Sequence, residues 1–152
     1  DEASSDAPEQ VGFDTVIALL KPLLEAPSVL KVGQNIKYDM LVLSNEDNGG
    51  INIAPIDDTM VLSYINDGAK HKHGMDALAD LHFGITPIPF KEVCGTGKKQ
   101  ITFDLVELDI ARDYAAEDAD ITLRLHKLLK PKLAEEKNVT LYEKMDNQQS
   151  LY

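Results

Sequence analysis

The sequence predicts an α/β domain. Two short runs rich in β-branched residues, VLKVG (29–33) and INIAPID (51–57), read as strands. Segments with apolar residues at helical spacing surround them, and strands alternating with helices define this class. The chain has 152 residues, inside the range of ~100–200 usual for one domain with a real core.

The elements follow in order. Residues 1–10, DEASSDAPEQ, read as a disordered acidic leader, and without an apolar stretch they do not form a signal peptide. From Phe13, the residues Val16, Ile17, Leu19, Leu20, Leu23 and Leu24 mark a helix with Asp14 as its cap, stopped by Pro27 and Ser28. VLKVG then supplies a buried strand with Val29, Leu30 and Val32 packing. A short helix starts near Ile36, NEDNGG at 45–50 turns the chain, and INIAPID holds another strand. Helices follow in DDTMVLSYIN and in GMDALADLHF at 74–83. The segment 85–103, with its prolines and glycines, reads as a long ordered loop. The last large helix runs from about Leu105 to Lys137, kinked or interrupted at Pro131, and VTLYEKMDNQQSLY can start another. Two or three strands are few beside the ~4–6 of a common sheet, so part of the sheet is expected to be missing.

Composition narrows the setting. No apolar run approaches the ~18 residues of a membrane span. Cys94 is the only cysteine, so no disulfide forms within the chain and a reducing, cytoplasmic location is expected. A net charge of −11 opposes a dedicated basic nucleic-acid patch. It is compatible with a site of metal-binding acids, which is negative until cations arrive.

The stretch YAAEDADITLRLH (114–126) concentrates acids at Glu117, Asp118 and Asp120. Helical phase puts Ile110, Tyr114, Asp118, Ile121, Leu125 and Leu128 on one stripe, and Asp113, Glu117, Asp120, Arg124 and Lys127 on the opposite, solvated face. Asp118 therefore interrupts an apolar seam. A buried carboxylate needs a partner, and periodicity leaves open a salt bridge, a helix N-terminus, or a metal or catalytic role. Asp39, in NIKYDMLVL, follows a strand in the first turn of a helix. It either complements the helix dipole or lies where open α/β sheets bind ligands.

Together the two acids resemble a known family. Asn35–Asp39 with Tyr38, and Y-x-x-x-D at Tyr114–Asp118, look like the second and third motifs of the DEDDy 3′–5′ exonucleases. KVGQNIKYD (31–39), DTMVLSYI (58–65), MDALA (75–79), GTGKKQITF (95–103) and YAAEDADITLRLH (114–126) occur in the order seen in the proofreading domain of bacterial DNA polymerase I. The resemblance covers roughly residues 15–145.

It implies a ribonuclease-H-like fold and hydrolysis of single-stranded DNA from its 3′ end with two Mg²⁺ or Mn²⁺ ions, hard cations that prefer oxygen ligands. By resemblance, Asp118 ligates the metal that generates the nucleophile, Asp39 supports the second metal, and Tyr114 orients the attacking water. Gln34, Asn35 and Tyr38 line the site. Phe90 stacks on DNA bases, or else fills a core gap as a loop aromatic. The implied layout is a leader at 1–10, a partial exonuclease domain at 11–137, and a segment at 138–152 leading toward a polymerase domain of the same parent chain. The family also needs a D-x-E pair, and no aspartate here has Glu two positions later. The first motif and first strands are thus expected to be missing, leaving a fragment with little activity of its own.

The rival readings are a catalytically dead domain kept for structure or DNA contact, and a ribonuclease-D-like enzyme, which shares the acids but not DTMVLSY or GTGKKQITF. GTGKK lacks P-loop spacing, and NEDNGGINIAPI lacks the final Glu of an EF-hand loop. His71 and His73, on a Lys-flanked loop, read as solvated.

Overall fold

A computed structural model describes residues 9–135, 138–142 and 144. Most of the leader and most of the segment after 138 lie outside the described residues. The chain divides into two compact units, one of residues up to 31 with 38–55, the other of 32–37 with residues from 56 onward.

In the first unit, α1 (Phe13–Leu24) is capped by Gly12 and not by Asp14. Asp14 already lies inside the first turn, where its charge complements the helix dipole but its side chain caps nothing. No residue of α1 is fully buried. Polar anchors hold the segments instead. Glu25 pairs with Lys21 at 2.9 Å and accepts from the Asn52 amide at 3.0 Å, while the Lys21 ammonium donates to the Gly50 carbonyl. Most of α2 (Lys37–Ser44) belongs here, and Gly49 turns the chain after it at φ 105°. A Cβ at Gly49 would lie 2.8 Å from Ile17, so both the left-handed backbone and the close approach require glycine.

Both predicted strands are shorter than expected. Among the described residues, the ladder contains β1 (Lys31–Gly33) and β2 (Ile56–Asp58), paired in a two-stranded sheet. Val29 and Leu30 precede the pairing and are exposed, contrary to the buried reading. Ile51 and Ile53 are buried, but they lie outside the ladder.

In the second unit, α3 (Thr59–Asp67) begins at an Asp58 cap and buries Thr59, Leu62, Ser63 and Ile65. α4 (Met75–Phe83) buries Leu78 and Ala79 and stops at left-handed Gly84. The predicted loop at 85–103 contains a short helix, α5 (Phe90–Cys94). Pro89 at its cap position explains both facts, since proline ends a preceding run yet is tolerated at a helix start. α6 (Leu108–Glu135) starts later than predicted, because Phe103–Leu105 forms a 3₁₀ turn and Val106 is extended. Pro131 lies within α6 without ending it: the row Ile121, Leu125, Leu129 and Leu133 stays buried on either side.

That row packs with Leu62, Ile65, Leu78, Ala79 and Tyr142 as one core. Each fully buried Leu or Ile contributes roughly 1.5–3 kcal/mol, so α6 is the axis of this unit. Beyond it, Asn138 N–H donates to the Leu133 carbonyl at 2.8 Å, residues 139–142 are helical, and Tyr142 enters the core.

Candidate active site

The site grows from the N-terminal half of α6. Going back from the buried row, Asp118 lies about one turn before Ile121 and Tyr114 one turn before that, both half-buried. The stripe differs from the predicted one at its ends. Ile110 is exposed, and Leu129, not Leu128, takes the buried position, because α6 packs along an i, i+4 row.

Tyr114 lies one helical turn before Asp118, close enough for each to shift the other's ionisation. Burial pushes the Asp118 carboxyl above its ordinary value, the nearby Tyr114 hydroxyl pulls it down, and the charges of Glu117 and Asp76 push it up again, for a net rise. Burial, then Asp118 and Asp76, also raise the Tyr114 phenol. Asp118 is thus a carboxylate in a negative, partly desolvated setting. A hard cation suits that arrangement, because it removes the repulsion and is coordinated by oxygen. Among the described residues, no three His, Cys, Asp or Glu side chains are grouped so as to hold a metal ion by themselves.

Against Tyr114 lies an aromatic shelf. The Phe90 and Phe103 rings stack with centroids 6.4 Å apart, and each meets Tyr114, at 6.1 and 5.8 Å. Phe90 is 47% exposed, so it does not fill a core gap; it begins α5 with an open face. A shallow cleft of about 340 Å³ lies alongside α4, lined by Asp76, Asp80, Thr86, Pro87 and Pro89.

Glu117 corrects the helical-phase expectation. It is half-buried and accepts a hydrogen bond from the Ile88 amide at 2.7 Å, unlike the exposed Asp113, Asp120, Arg124 and Lys127 with which it was grouped. Helical phase assigns Glu117 to water because it cannot see the 85–89 segment crossing that face.

The other predicted residues surround the β1–α2 turn. Gln34 is committed internally: its amide donates to the His73 carbonyl at 2.8 Å, and its oxygen accepts from the Thr59 hydroxyl. Both its amide nitrogen and its oxygen are engaged in shaping the turn. Asn35 adopts a left-handed φ of 55°, and its amide and that of Ile36 donate to Asp58 at 3.0 and 3.1 Å. Tyr38 and Asp39 are exposed on the first turn of α2, in the first unit.

Neither histidine is simply solvated. His73 is fixed between the Ser63 hydroxyl at 2.8 Å and the Gly68 carbonyl at 2.6 Å, and half-buried His71 faces Asp67 at 3.4 Å. Sequence reasoning also missed Asp76, Phe103 and the strand acids. The D-D-T junction at 57–59 was a legible capping signal for Asp58. Asp57 carried none, since its partners lie far along the chain.

The chain belongs to the 3′–5′ exonuclease family, whose model matches residues 3–134. The resemblance carried by the ordered motifs is thereby borne out. It is 49% identical over 140 residues to DNA polymerase I of Rhizobium leguminosarum, which covers 92% of this chain and 14% of that protein. DNA polymerase I of Pseudomonas aeruginosa is 48% identical over 126 residues, 83% of this chain and 14% of the relative. That of Borreliella burgdorferi is 37% identical over 106 residues, 70% of this chain and 11% of the relative. The chain therefore spans only a small part of the relatives it matches.

Proposed function

We propose that this chain is part of the proofreading exonuclease of a DNA polymerase, with a ribonuclease-H-like fold, removing the terminal nucleotide from a single-stranded DNA 3′ end. The observation that carries this reading is the placement of Tyr114 one turn before Asp118 on α6, both half-buried, with the open ring of Phe90 6.1 Å from Tyr114.

In this reading Asp118 would ligate one Mg²⁺ or Mn²⁺ ion and Asp39 would support a second. Bound there, such ions lower the pKa of water and neutralise charge on the leaving oxygen. Tyr114 positions the attacking water while its hydroxyl remains oriented by Asp118. Phe90 offers its open face to a DNA base, where stacking contributes about 1–3 kcal/mol per base and tolerates any sequence. Asn35 and Tyr38 border the strand, and Gln34 supports them by fixing the turn. The polymerase domain of the parent chain would supply the mispaired end. A cytoplasmic location belongs to the same proposal.

The D-x-E pair of the family mechanism is absent from these 152 residues, so the chain by itself is expected to hydrolyse little. Two assays test the reading. The 152-residue chain should release no nucleotide above background from single-stranded DNA with Mg²⁺ or Mn²⁺; release abolished by Asp118→Ala would overturn the expected inactivity. A longer chain carrying a D-x-E pair ahead of residue 1 should release 3′ nucleotides and lose this with Asp118→Ala. Failure of that longer chain would overturn the exonuclease assignment.

A further inference from the structure

Glu117 stands beside the site, yet neither metal ligation nor water positioning uses it. Its Oε2 accepts from the Ile88 amide at 2.7 Å. Ile88 lies between Pro87 and Pro89, neither of which has an N–H, so this amide is the one backbone donor across 87–89. Pro89 occupies the cap position of α5, and Phe90 is the first residue of that helix. A charge-assisted hydrogen bond therefore ties α6 to the start of α5, the helix that carries Phe90. From α6 the same helix also presents Tyr114, which Phe90 meets edge-on at 6.1 Å.

We infer that Glu117 is a positioning residue, which holds the Pro87–Pro89 segment to α6 so that Phe90 and Phe103 form one stacking surface with Tyr114. This rests on the exonuclease reading for its purpose, though not for its geometry. A five-residue helix preceded by two prolines has little hydrogen bonding of its own to fix its direction. Without the carboxylate, the start of α5, opposite its buried end at Cys94, is free to move and the Phe90–Tyr114 contact is lost. Glutamine keeps an acceptor oxygen and should largely preserve the contact; alanine should not.

The test uses the full 152-residue chain and needs no catalysis. NMR should show the Ile88 amide protected from exchange in the wild type; an unprotected amide overturns the inference. In Glu117→Ala, Phe90–Tyr114 ring contacts should vanish while the methyl shifts of Ile121, Leu125 and Leu129 stay put, and Glu117→Gln should restore the ring contacts. Intact contacts in Glu117→Ala overturn the inference, as does loss of the contacts in both variants. Were Glu117→Ala to lose the core shifts too, Glu117 would be a residue of global stability, which also overturns it. Fluorescence of single-stranded DNA with 2-aminopurine at its 3′ end separates the two claims. Wild-type quenching that Phe90→Ala abolishes supports the DNA-stacking reading, and Glu117→Ala should then weaken binding about fivefold, equivalent to about 1 kcal/mol. No quenching by the wild type, with the ring contacts behaving as stated, overturns the DNA reading alone.

Discussion

The hydroxyl of Tyr142 donates to Asp57 Oδ1 at 2.7 Å, joining the second strand to the segment after the last helix. Asp57 is 2% exposed and also meets Lys130 at 2.7 Å and His126 at 2.6 Å, both on α6. Lys130 in turn lies over the Tyr142 ring at 4.4 Å. One strand carboxylate thus gathers three side chains that close the core.

Asp57→Ala should lower unfolding stability by about 2–4 kcal/mol. Breaking a buried ion pair costs about 3–5 kcal/mol, reduced here because the Lys130 side chain, 40% exposed, can reach water. Urea denaturation should show a lower midpoint at unchanged slope.

Asp58 has a different task. It caps α3 through the Met60 amide at 2.9 Å while also accepting from Asn35 and Ile36. Loss of a cap costs about 0.5–2 kcal/mol, and orphaned buried amides add to that. Asp58→Ala should therefore destabilise by about 2–3 kcal/mol, and Asp58→Asn by less, since an acceptor remains. Thermal unfolding of the two variants checks the order.

The strand acid Asp57 and the site acid Asp118 should depend on pH with opposite sign. Burial pushes the Asp57 carboxyl up, but its bonds to Lys130, Tyr142 and His126 outweigh this and hold it below the ordinary value. Its stabilisation is present above the unfolded carboxylate value and is lost as pH falls through the lower, folded one. The Asp118 carboxyl is raised, by burial first. Its contribution is present at low pH and is lost as pH rises through the raised value. Asp118→Asn should therefore match the wild type in acid and exceed it at neutral pH, by on the order of 0.5 kcal/mol after solvent screening. Stability curves against pH for both proteins measure the crossover.

Gly49→Ala should destabilise the first unit by more than about 1 kcal/mol, because alanine disfavours a positive φ and its Cβ would press on Ile17. Hydrogen exchange at the Ile51 amide, bonded to the Leu43 carbonyl at 2.7 Å, should quicken while the α6 core amides hold.

Helix positions were legible because each helix carries its own apolar period, as α3 and α4 show. The strands were overextended, because β-branched composition at Val29 and Leu30 does not reveal where ladder partners end. α5 was hidden between the prolines and glycines of its segment. Asp118 was legible as a lone carboxylate on an apolar stripe. Glu117 was not, because its partner is a backbone amide on another element.

The sequence by itself determined the succession of helices around two short strands, the helical phase pairing Tyr114 with Asp118, and the ordered motifs that place the chain among the 3′–5′ exonucleases. All are properties of local spacing and order, which the chain carries before it folds. Tertiary structure alone decided that Asp57 is paired, that Asp118 is pushed up by Asp76 as well as by Glu117, and that Phe90 faces Tyr114. Those depend on contacts across long stretches of chain, where no short-range pattern records which groups will meet.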